Sequence, residues 1–352
     1  MILHKKDHLV GLDIGSSFIK VAEVKLTGKG HVLHKFGMAR IVPGTVVEGR
    51  VMDMEGLASA IRTLFKSQKI REKNVAISTG GHSVVIKTIN TSTKPGKELH
   101  TSIYSEAEQY IPYDIDDVNI DYQILGESEF SPDQLNVLLV AVKKDLVAEY
   151  IELIHLAGLN PKIIDVDTFA LQNAYEILPY ENREKITLLV DVGASKTSLN
   201  IIKANSSMMM RDTVSGTNQI LEEISSQFGI SIEEAELSVN GEVKNIVSPE
   251  NIQAIGLKIA QSWCSEIVEV VNTYQAGGNE ETVEKIVLSG GGVFVDGFKD
   301  SLLSELDADV SIINPFEGLI VNEKKFPDSF ITKAAPQAPI AIGLALRRVD
   351  DK

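Results

Sequence analysis

Two short stretches of the chain combine a carboxylate, a glycine and small polar residues in a spacing that suits phosphate binding. The first follows an apolar run and reads Asp13-Ile14-Gly15-Ser16-Ser17, with Lys20 shortly after it. Glycine lets the backbone approach a bound group closely, and such a turn presents N–H groups, hydroxyls and the Lys20 ammonium on one side. Asp13 is placed to hold a metal ion through water. The stretch therefore predicts a phosphate cradle, with a solvated strand position as the alternative interpretation for Lys20.

The same pattern returns in the second half of the chain as Asp191-Val192-Gly193-Ala194-Ser195-Lys196-Thr197. One Asp-x-Gly turn is a weak signal, because ordinary hairpins use these residues and the aspartate can simply brace its turn. Two such hairpins facing each other would clamp the phosphates of a nucleotide, with Asp191 as a second metal ligand through water. The repeat therefore favours nucleotide contact by Asp191, Gly193, Ala194 and Thr197.

A third glycine-rich stretch, Ser289-Gly290-Gly291-Gly292-Val293, lies between an apolar run and a predicted helix. Glycines at such a place let a flat base or ribose lie directly on the backbone, where side chains would collide. A plain helix-entry loop is the alternative interpretation. The order of the three stretches, two phosphate hairpins and then a strand-glycine-helix site, is typical of the actin, Hsp70 and sugar-kinase fold.

The elements around these stretches predict an α/β protein with duplicated ribonuclease-H-like lobes, because each hairpin continues into a third strand and a helix. Lobe one is expected at 1–90 and 165–182, completed by a terminal helix within 339–352. Lobe two is expected at 183–216 and 281–338, and a helical subdomain at 217–280. An inserted α-β subdomain with its own sheet is expected at 91–164, after a polar connection over 91–96. Its elements would be a helix at 98–110, strands at 118–125 and 135–142 around a loop at 127–133, a helix at 145–157 and a strand at 161–166.

Size and charge exclude several classes of protein. A chain of 352 residues exceeds one ordinary core. The net charge of −15 argues against nucleic acid and against bare anionic membrane surfaces as partners. Cys264 is the only cysteine, and the seven histidines show no metal-ligand spacing. The first eight residues lack the apolar core of a signal peptide, and no apolar run approaches a membrane span, so we expect a cytoplasmic protein.

Seven segments spread over the chain carry a family resemblance. They are Gly11-Leu12-Asp13-Ile14-Gly15-Ser16-Ser17, Ala107-Glu108-Gln109-Tyr110-Ile111-Pro112, Ala141-Val142-Lys143-Lys144-Asp145, Ala157-Gly158-Leu159-Asn160-Pro161, Asp165-Val166-Asp167-Thr168-Phe169-Ala170-Leu171, Asn314-Pro315-Phe316 and Ala341-Ile342-Gly343-Leu344-Ala345-Leu346-Arg347. With these segments the chain resembles the PilM family of type IV pilus assembly proteins, which belongs to the actin-like ATPase superfamily and is related to FtsA. The likeness spans nearly the whole chain.

The resemblance implies ATP with Mg²⁺ between the lobes and an FtsA-type insert. It also implies a cytoplasmic scaffold that binds the N-terminal cytoplasmic tail of the membrane protein PilN. Such a platform, in type IV pilus assembly or a related type II secretion system, links the inner-membrane complex to secretion motor ATPases. It would lie against the inner membrane through its protein partners.

Three further residues are candidates for the nucleotide site. Asp167 stands where related ATPases often carry a glutamate near the metal and the attacking water, and it is one methylene shorter. We therefore expect slow or absent ATP hydrolysis. Gly216 is the secure member of an expected Gly-Gly pair on the phosphate side. Glu233 is either a ribose ligand or a first-turn acid that complements a helix dipole.

Two other functions share the same core. A metabolite kinase would need a base beside an acceptor hydroxyl, and the sequence offers no convincing acceptor pocket. A filament-forming division protein like FtsA would end in a linker and an amphipathic membrane helix. Here residues 347–352 follow shortly after the last predicted helix, so direct membrane insertion is not expected.

Overall fold

The computed structural model describes residues 8–93, 96–128, 131–179, 183–243, 246–276 and 281–349. Its strands form two five-stranded mixed sheets, one three-stranded sheet and one two-stranded ribbon. Within these described ranges, no helix is both long and apolar enough to cross a membrane.

The first lobe begins with three antiparallel strands, a helix and a fourth strand that returns parallel to the first. The helix begins at Asp53, whose side chain accepts the N–H of Gly56, and buries Leu57, Ile61 and Leu64 on one face. These elements are β1 (Val10–Ile14), β2 (Phe18–Thr27), β3 (Gly30–Arg40), the short β4 (Val46–Val47) and β5 (Arg50–Val51), α1 (Met54–Ser67) and β6 (Asn74–Thr79).

A small antiparallel sheet follows, in the order β7-β9-β8, with a helix on one face. Its elements are β7 (Val84–Ser92), α2 (Gly96–Ala107), β8 (Val118–Ser128) and β9 (Ser131–Lys143). The sequence placed the first of these strands in lobe one, but β7 pairs with β9. The predicted loop at 127–133 is mostly strand, because β8 and β9 pair almost to their connection. Residues 94 and 95 of the predicted polar connection, and 129 and 130 of the loop, lie outside the described residues.

The chain then returns to the first lobe through α3 (Lys144–Leu156), β10 (Asn160–Val166) and α4 (Asp167–Glu176). β10 pairs parallel with β6, and α3 packs in the same core as α1. The expectation that this helix and strand belong to the insert is therefore wrong, because the strand finds its hydrogen-bonding partner in the first sheet. That sheet has the order β10-β6-β1-β2-β3. The strand pairing in the sheets does not define where a subdomain begins or ends, so the predicted bounds of the other subdomains stay a prediction.

The second lobe repeats this topology in the sheet β13-β12-β11-β14-β15. Trp263 of its longest helix packs edge-on against Phe298, and both are fully buried. Residues 244 and 245 of a predicted connection lie outside the described residues. The elements are β11 (Thr187–Val192), β12 (Thr197–Lys203), β13 (Ser206–Thr213), α5 (Asn218–Phe228), α6 (Ile232–Val239), α7 (Pro249–Ala276), β14 (Lys285–Gly290), α8 (Phe298–Glu305) and β15 (Asp309–Ile312).

After β15 the chain crosses back and completes the first lobe. The ring of Phe316 meets that of Phe36 with centroids 5.5 Å apart, and the N–H of Leu33 donates to the carbonyl of Ile320. This stretch was expected in lobe two, but its aromatic residues pack on the first sheet. The last elements are α9 (Asp328–Ala334) and α10 (Pro339–Leu346).

The helix pair α4 and α10 lies between the two sheets. Leu171 and Tyr175 of α4 share a core with Leu189 of β11, while Ala170 packs with α10 and the first sheet. The backbones approach so closely that a Cβ on Gly343 would overlap the carbonyl oxygen of Ala170. The two lobes are therefore joined through a dry helix pair.

Replacing Gly343 by alanine should lower the free energy of unfolding by about 3 kcal/mol, because α10 would have to move away from α4. Urea denaturation measures this change. Gly28→Ala is the matched control, since a Cβ there meets nothing within 4 Å. Equal stabilities of the two variants would contradict the close approach.

Candidate functional site

A cavity of about 450 Å³ lies between the lobes, and the two predicted hairpins form part of its lining. Both turns close in the same way. The N–H of Gly15 donates to the carbonyl of Phe18 at 3.0 Å, and that of Gly193 to the carbonyl of Lys196 at 2.9 Å. The hydroxyl oxygens of Ser16 and Ser195 are 2.6 Å apart. The structure therefore brings the two repeats face to face.

Asp13 and Lys20 are cross-strand neighbours in the first hairpin. Nζ of Lys20 lies 2.7 Å from Oδ2 of Asp13, and the Lys20 side chain is only 14% exposed, so it is not a solvated strand residue. Burial raises the pKa of the Asp13 carboxyl, against the opposing effect of the ammonium. Burial alone would lower the pKa of Lys20, but the Asp13 carboxylate outweighs it and raises the pKa.

Asp191 holds the equivalent place in the second lobe. It stands opposite Ser289 of β14, whose hydroxyl donates to Oδ1 of Asp191 at 2.7 Å. Burial raises the pKa of this carboxyl, and the hydrogen bond from Ser289 opposes the shift. Each hairpin therefore carries a carboxylate at the last residue but one of its first strand, and Asp13 is buried whereas Asp191 is half-buried.

A second ion-pair cluster crosses from one lobe to the other. Nζ of Lys196, in the second hairpin, lies 2.6 Å from Oδ2 of Asp167 at the start of α4 and 3.5 Å from Oδ2 of Asp212. Asp212 also accepts the N–H of Gly81 from the first lobe at 2.6 Å. Burial alone would raise the pKa of Asp167, but the ammonium outweighs it and lowers the pKa. The carboxylates likewise outweigh burial at Lys196 and raise its pKa.

An aspartate at the start of a helix often caps it with its own side chain. In the structure the N-cap of α4 is Val166 and makes no side-chain capping bond, while the Asp167 carboxylate turns to Lys196. The Asp167 carboxylate therefore pairs with Lys196 across the cleft and not with an N–H group of its own helix.

Only part of the glycine-rich stretch faces the cavity. Gly290 and Gly291 line it, whereas Gly292 and Val293 do not. Gly290 has φ of +84°, and a Cβ there would overlap the backbone of Val192. Gly292 would meet the Val192 side chain in the same way. Gly291 alone has open space, with the Thr217 methyl 3.9 Å from an added Cβ. Two of the three glycines thus serve packing on β11.

Three other predicted residues lie beside the cavity lining rather than on it. The Thr197 hydroxyl donates to the carbonyl of Ser215 at 2.8 Å. Gly216 packs against the second hairpin, where a Cβ would lie 2.5 Å from the carbonyl oxygen of Ala194. Glu233 is exposed in the first turn of α6. Ala194, like Gly15, Ser16, Ser17 and Gly193, lines the cavity.

Sequence reasoning missed five charged residues of the cavity lining. Glu236, one turn after Glu233, lies 3.1 Å from the guanidinium of Arg40 across the cleft. Lys196 was visible inside the repeat, but nothing in its spacing indicated its partners. The five residues are Arg40, Glu48, Lys196, Asp212 and Glu236.

The two ends of the cavity differ in character. The hairpin end gathers four carboxylates, of Asp13, Asp167, Asp191 and Asp212, and the two ammonium groups of Lys20 and Lys196. The other end is more apolar. It is lined by Ile220, Leu221, Val239 and Phe294, together with the polar Asn218, Glu236 and Asn240. This arrangement fits a ligand with an anionic end and a flat end that has apolar faces and polar edges.

The hairpin end carries a surplus of two negative charges, which one divalent cation would balance. An entering phosphate would increase this surplus and with it the need for a cation. The described residues contain no group of three or more His, Cys, Asp or Glu side chains arranged to hold a metal directly. The residues therefore fit a cation carried by the phosphates and reached by Asp13 and Asp191 through water.

Comparisons with known proteins identify a family and similar folds. A family model described as type IV pilus assembly protein PilM matches residues 11–349. A chain in the solved PilM-PilN type IV pilus biogenesis complex is 25% identical over 98% of this chain and all of its own, with a TM-score of 0.86. The ethanolamine utilization protein EutJ from Carboxydothermus hydrogenoformans is 15% identical over 97% of this chain and 89% of its own, with a TM-score of 0.58.

Two equivalent lobes around a shared cleft define the protein as a member of the actin-like ATPase fold class, as expected from the sequence. Within that class, the chain belongs to the PilM family of type IV pilus assembly proteins.

Replacing Asp191 by asparagine should stabilise the ligand-free protein near neutral pH by about 1 kcal/mol. Its folded pKa exceeds the ordinary value of 3.8, so the folded state loses stability as the pH rises through the folded pKa. Asparagine keeps an acceptor for Ser289 without the charge. Urea denaturation at pH 7 measures the gain, which should vanish below pH 3.8, where both states are protonated. A gain equal to that of the exposed control Asp309→Asn would contradict a burial effect.

Proposed function

We propose that this chain is an ATP-binding scaffold of a type IV pilus, or a related type II secretion, inner-membrane platform. In this proposal it binds Mg-ATP in the cleft and the N-terminal cytoplasmic tail of a PilN-type membrane protein on its small sheet. Through that tail it lies at the cytoplasmic side of the inner membrane. It also links the inner-membrane complex to secretion motor ATPases. The observation that supports nucleotide binding is the pair of facing hairpins, each with an aspartate near the end of its first strand.

The cleft suggests how the nucleotide would lie. Its nucleoside would occupy the apolar end beside Gly290 and Gly291, with Glu233 as the predicted ribose ligand. The phosphates would enter between the hairpins, where the hydroxyls of Ser16 and Ser195 would turn from each other to phosphate oxygens. The other members of the phosphate site would be Gly15, Ser17, Lys20, Gly193 and Ala194, with Thr197, Gly216, Gly292 and Val293 shaping the turns.

The ion pairs at Asp167 favour slow or absent hydrolysis. A general base must accept a proton near the working pH. The lowered pKa of Asp167 and its contact with Lys196 make it a poor proton acceptor. Bound ATP would then act by joining the lobes and stabilising them through mass action. Steady-state phosphate release on the order of 1 per second or faster would contradict this part of the proposal.

Asp13→Ala should abolish Mg-ATP binding and leave the fold intact, because it removes the carboxylate that reaches the cation. In the unaltered protein, ATP at about 100 times its dissociation constant should stabilise the fold by about 2.7 kcal/mol. Thermal unfolding with and without Mg-ATP measures this gain, and circular dichroism checks the fold. The exposed Asp300→Ala on α8 is the control and should keep the gain. A normal ATP response of Asp13→Ala would overturn the proposed site.

The partner surface is supported by the uncovered face of the small sheet. Its other face packs under α2, but Ile86 and Val140, cross-strand neighbours on β7 and β9, point away from that core and are only half-buried. Val142 on the same face reaches the first-lobe core. A peptide could dock between this face and lobe one through pockets for apolar side chains.

Ile86→Ser should weaken binding of a synthetic PilN-type N-terminal peptide at least tenfold, because it removes an apolar wall of the groove. Calorimetry measures the affinity, with and without Mg-ATP. Lys87→Ser is the control, since Lys87 is exposed and its side chain lies on the opposite face of the same strand. Absence of peptide binding by the unaltered protein would refute the scaffold proposal, and equal losses in both variants would refute the groove.

A further inference from the structure

The first lobe contains an unassigned counterpart of the glycine-rich site in the second lobe. β6 and β14 hold equivalent places, each parallel to the first strand of its sheet. β6 ends in Ser78-Thr79-Gly80-Gly81, and β14 continues as Ser289-Gly290-Gly291-Gly292. Both loops line the same cavity from opposite lobes. A nucleotide whose nucleoside lies at one loop would therefore extend its phosphates toward the other.

The backbone of Gly80 lies directly against the ammonium group of Lys196. A Cβ on Gly80 would overlap Nζ of Lys196 and lie 2.7 Å from Oδ2 of Asp167. The N–H of the next residue, Gly81, donates to Asp212. Lys196 thus reaches from the second lobe into the glycine loop of the first, and the absence of a side chain at Gly80 makes room for its ammonium.

The hydroxyl of Thr79, the last residue of β6, lies in this loop. The Thr79 hydroxyl oxygen is buried, with the residue only 4% exposed, and it finds no hydrogen-bond partner among the described residues. Thr79 lines the cavity beside Gly80. A buried hydroxyl without a partner is costly, and a ligand with acceptor oxygens would remove that cost. The same oxygens would attract the ammonium of Lys196.

We propose that Lys196, with Thr79 and the Gly80-Gly81 backbone, forms the subsite for the terminal phosphate and makes the cleft distinguish a nucleoside triphosphate from a diphosphate. Inner phosphates lie between the hairpins, so only a third phosphate reaches this loop. On its arrival Lys196 exchanges Asp167 for a phosphate oxygen. The inference rests on the proposed nucleotide function and adds to it that Lys196 distinguishes three phosphates from two.

This exchange also links the ligand to the contact between the lobes. Without a terminal phosphate, Lys196 joins lobe two to Asp167 of lobe one. With it, the phosphate and its cation take over that junction. A diphosphate leaves the direct ion pair in place, so the two nucleotides hold the lobes through different bonds.

The experiment compares Mg-ADP with a non-hydrolysable Mg-ATP analogue by calorimetry. The unaltered protein should bind the triphosphate at least tenfold more tightly. Lys196→Met should bring the ratio of the two affinities close to one, with the affinity for ADP within about twofold of the original. Lys203→Met is the control, because Lys203 pairs with Glu281 at the surface and should leave the ratio unchanged.

Thr79→Val tests the same subsite without removing a buried charge. It should weaken the triphosphate several-fold and leave ADP binding unchanged. Equal affinities of the unaltered protein for both nucleotides, or equal losses of both in the variants, would overturn the assignment of Lys196. Failure of the unaltered protein to bind either nucleotide would instead refute the proposed function itself.

Discussion

The close approach of Gly343 to the carbonyl of Ala170 is the constraint on which the site depends. It seats α10 against α4, and α4 begins only three residues earlier, at Asp167. The position of that carboxylate, and hence of the ion pair with Lys196, follows from a dry contact between two helices. The packing contact of Ala170 and the ion pair of Asp167 therefore lie within the first turn of α4.

Charge is concentrated where the lobes face each other. Carboxylates that are largely shielded from solvent are costly unless a cation compensates them. Lys20 compensates Asp13 within its own hairpin, while Lys196 does so across the junction. The carboxylates are thus already positioned for a ligand that carries a cation. In the ligand-free protein, the ammonium groups of Lys20 and Lys196 neutralise part of their charge. Stability is given up locally for a preorganised site, as is common at binding sites.

The sequence predicted the fold class and the two hairpins, because Asp13 and Asp191 lie in short motifs whose geometry is local. It failed where a strand's partner is distant. β10 looks like a continuation of the insert, yet its neighbour in the sheet is β6, more than eighty residues earlier. Spacing could not show this, since a parallel strand carries no mark of its partner.

The same limit applies to the site. The triple glycine predicted a ligand surface, but Gly290 and Gly292 are needed for packing on Val192. Asp167 and Lys196 were each in view, and only the fold shows that they touch. Arg40 and Glu236 carry no local motif, and their pairing depends on how α6 is set against β3.

The path of the chain between the lobes has a mechanical consequence. It crosses once between α4 and β11 and once between β15 and Phe316. Two bodies tied at two points can turn freely only about the line through those points. Rotation about the line through the two crossings is therefore the relative motion of the lobes that the chain path restrains least.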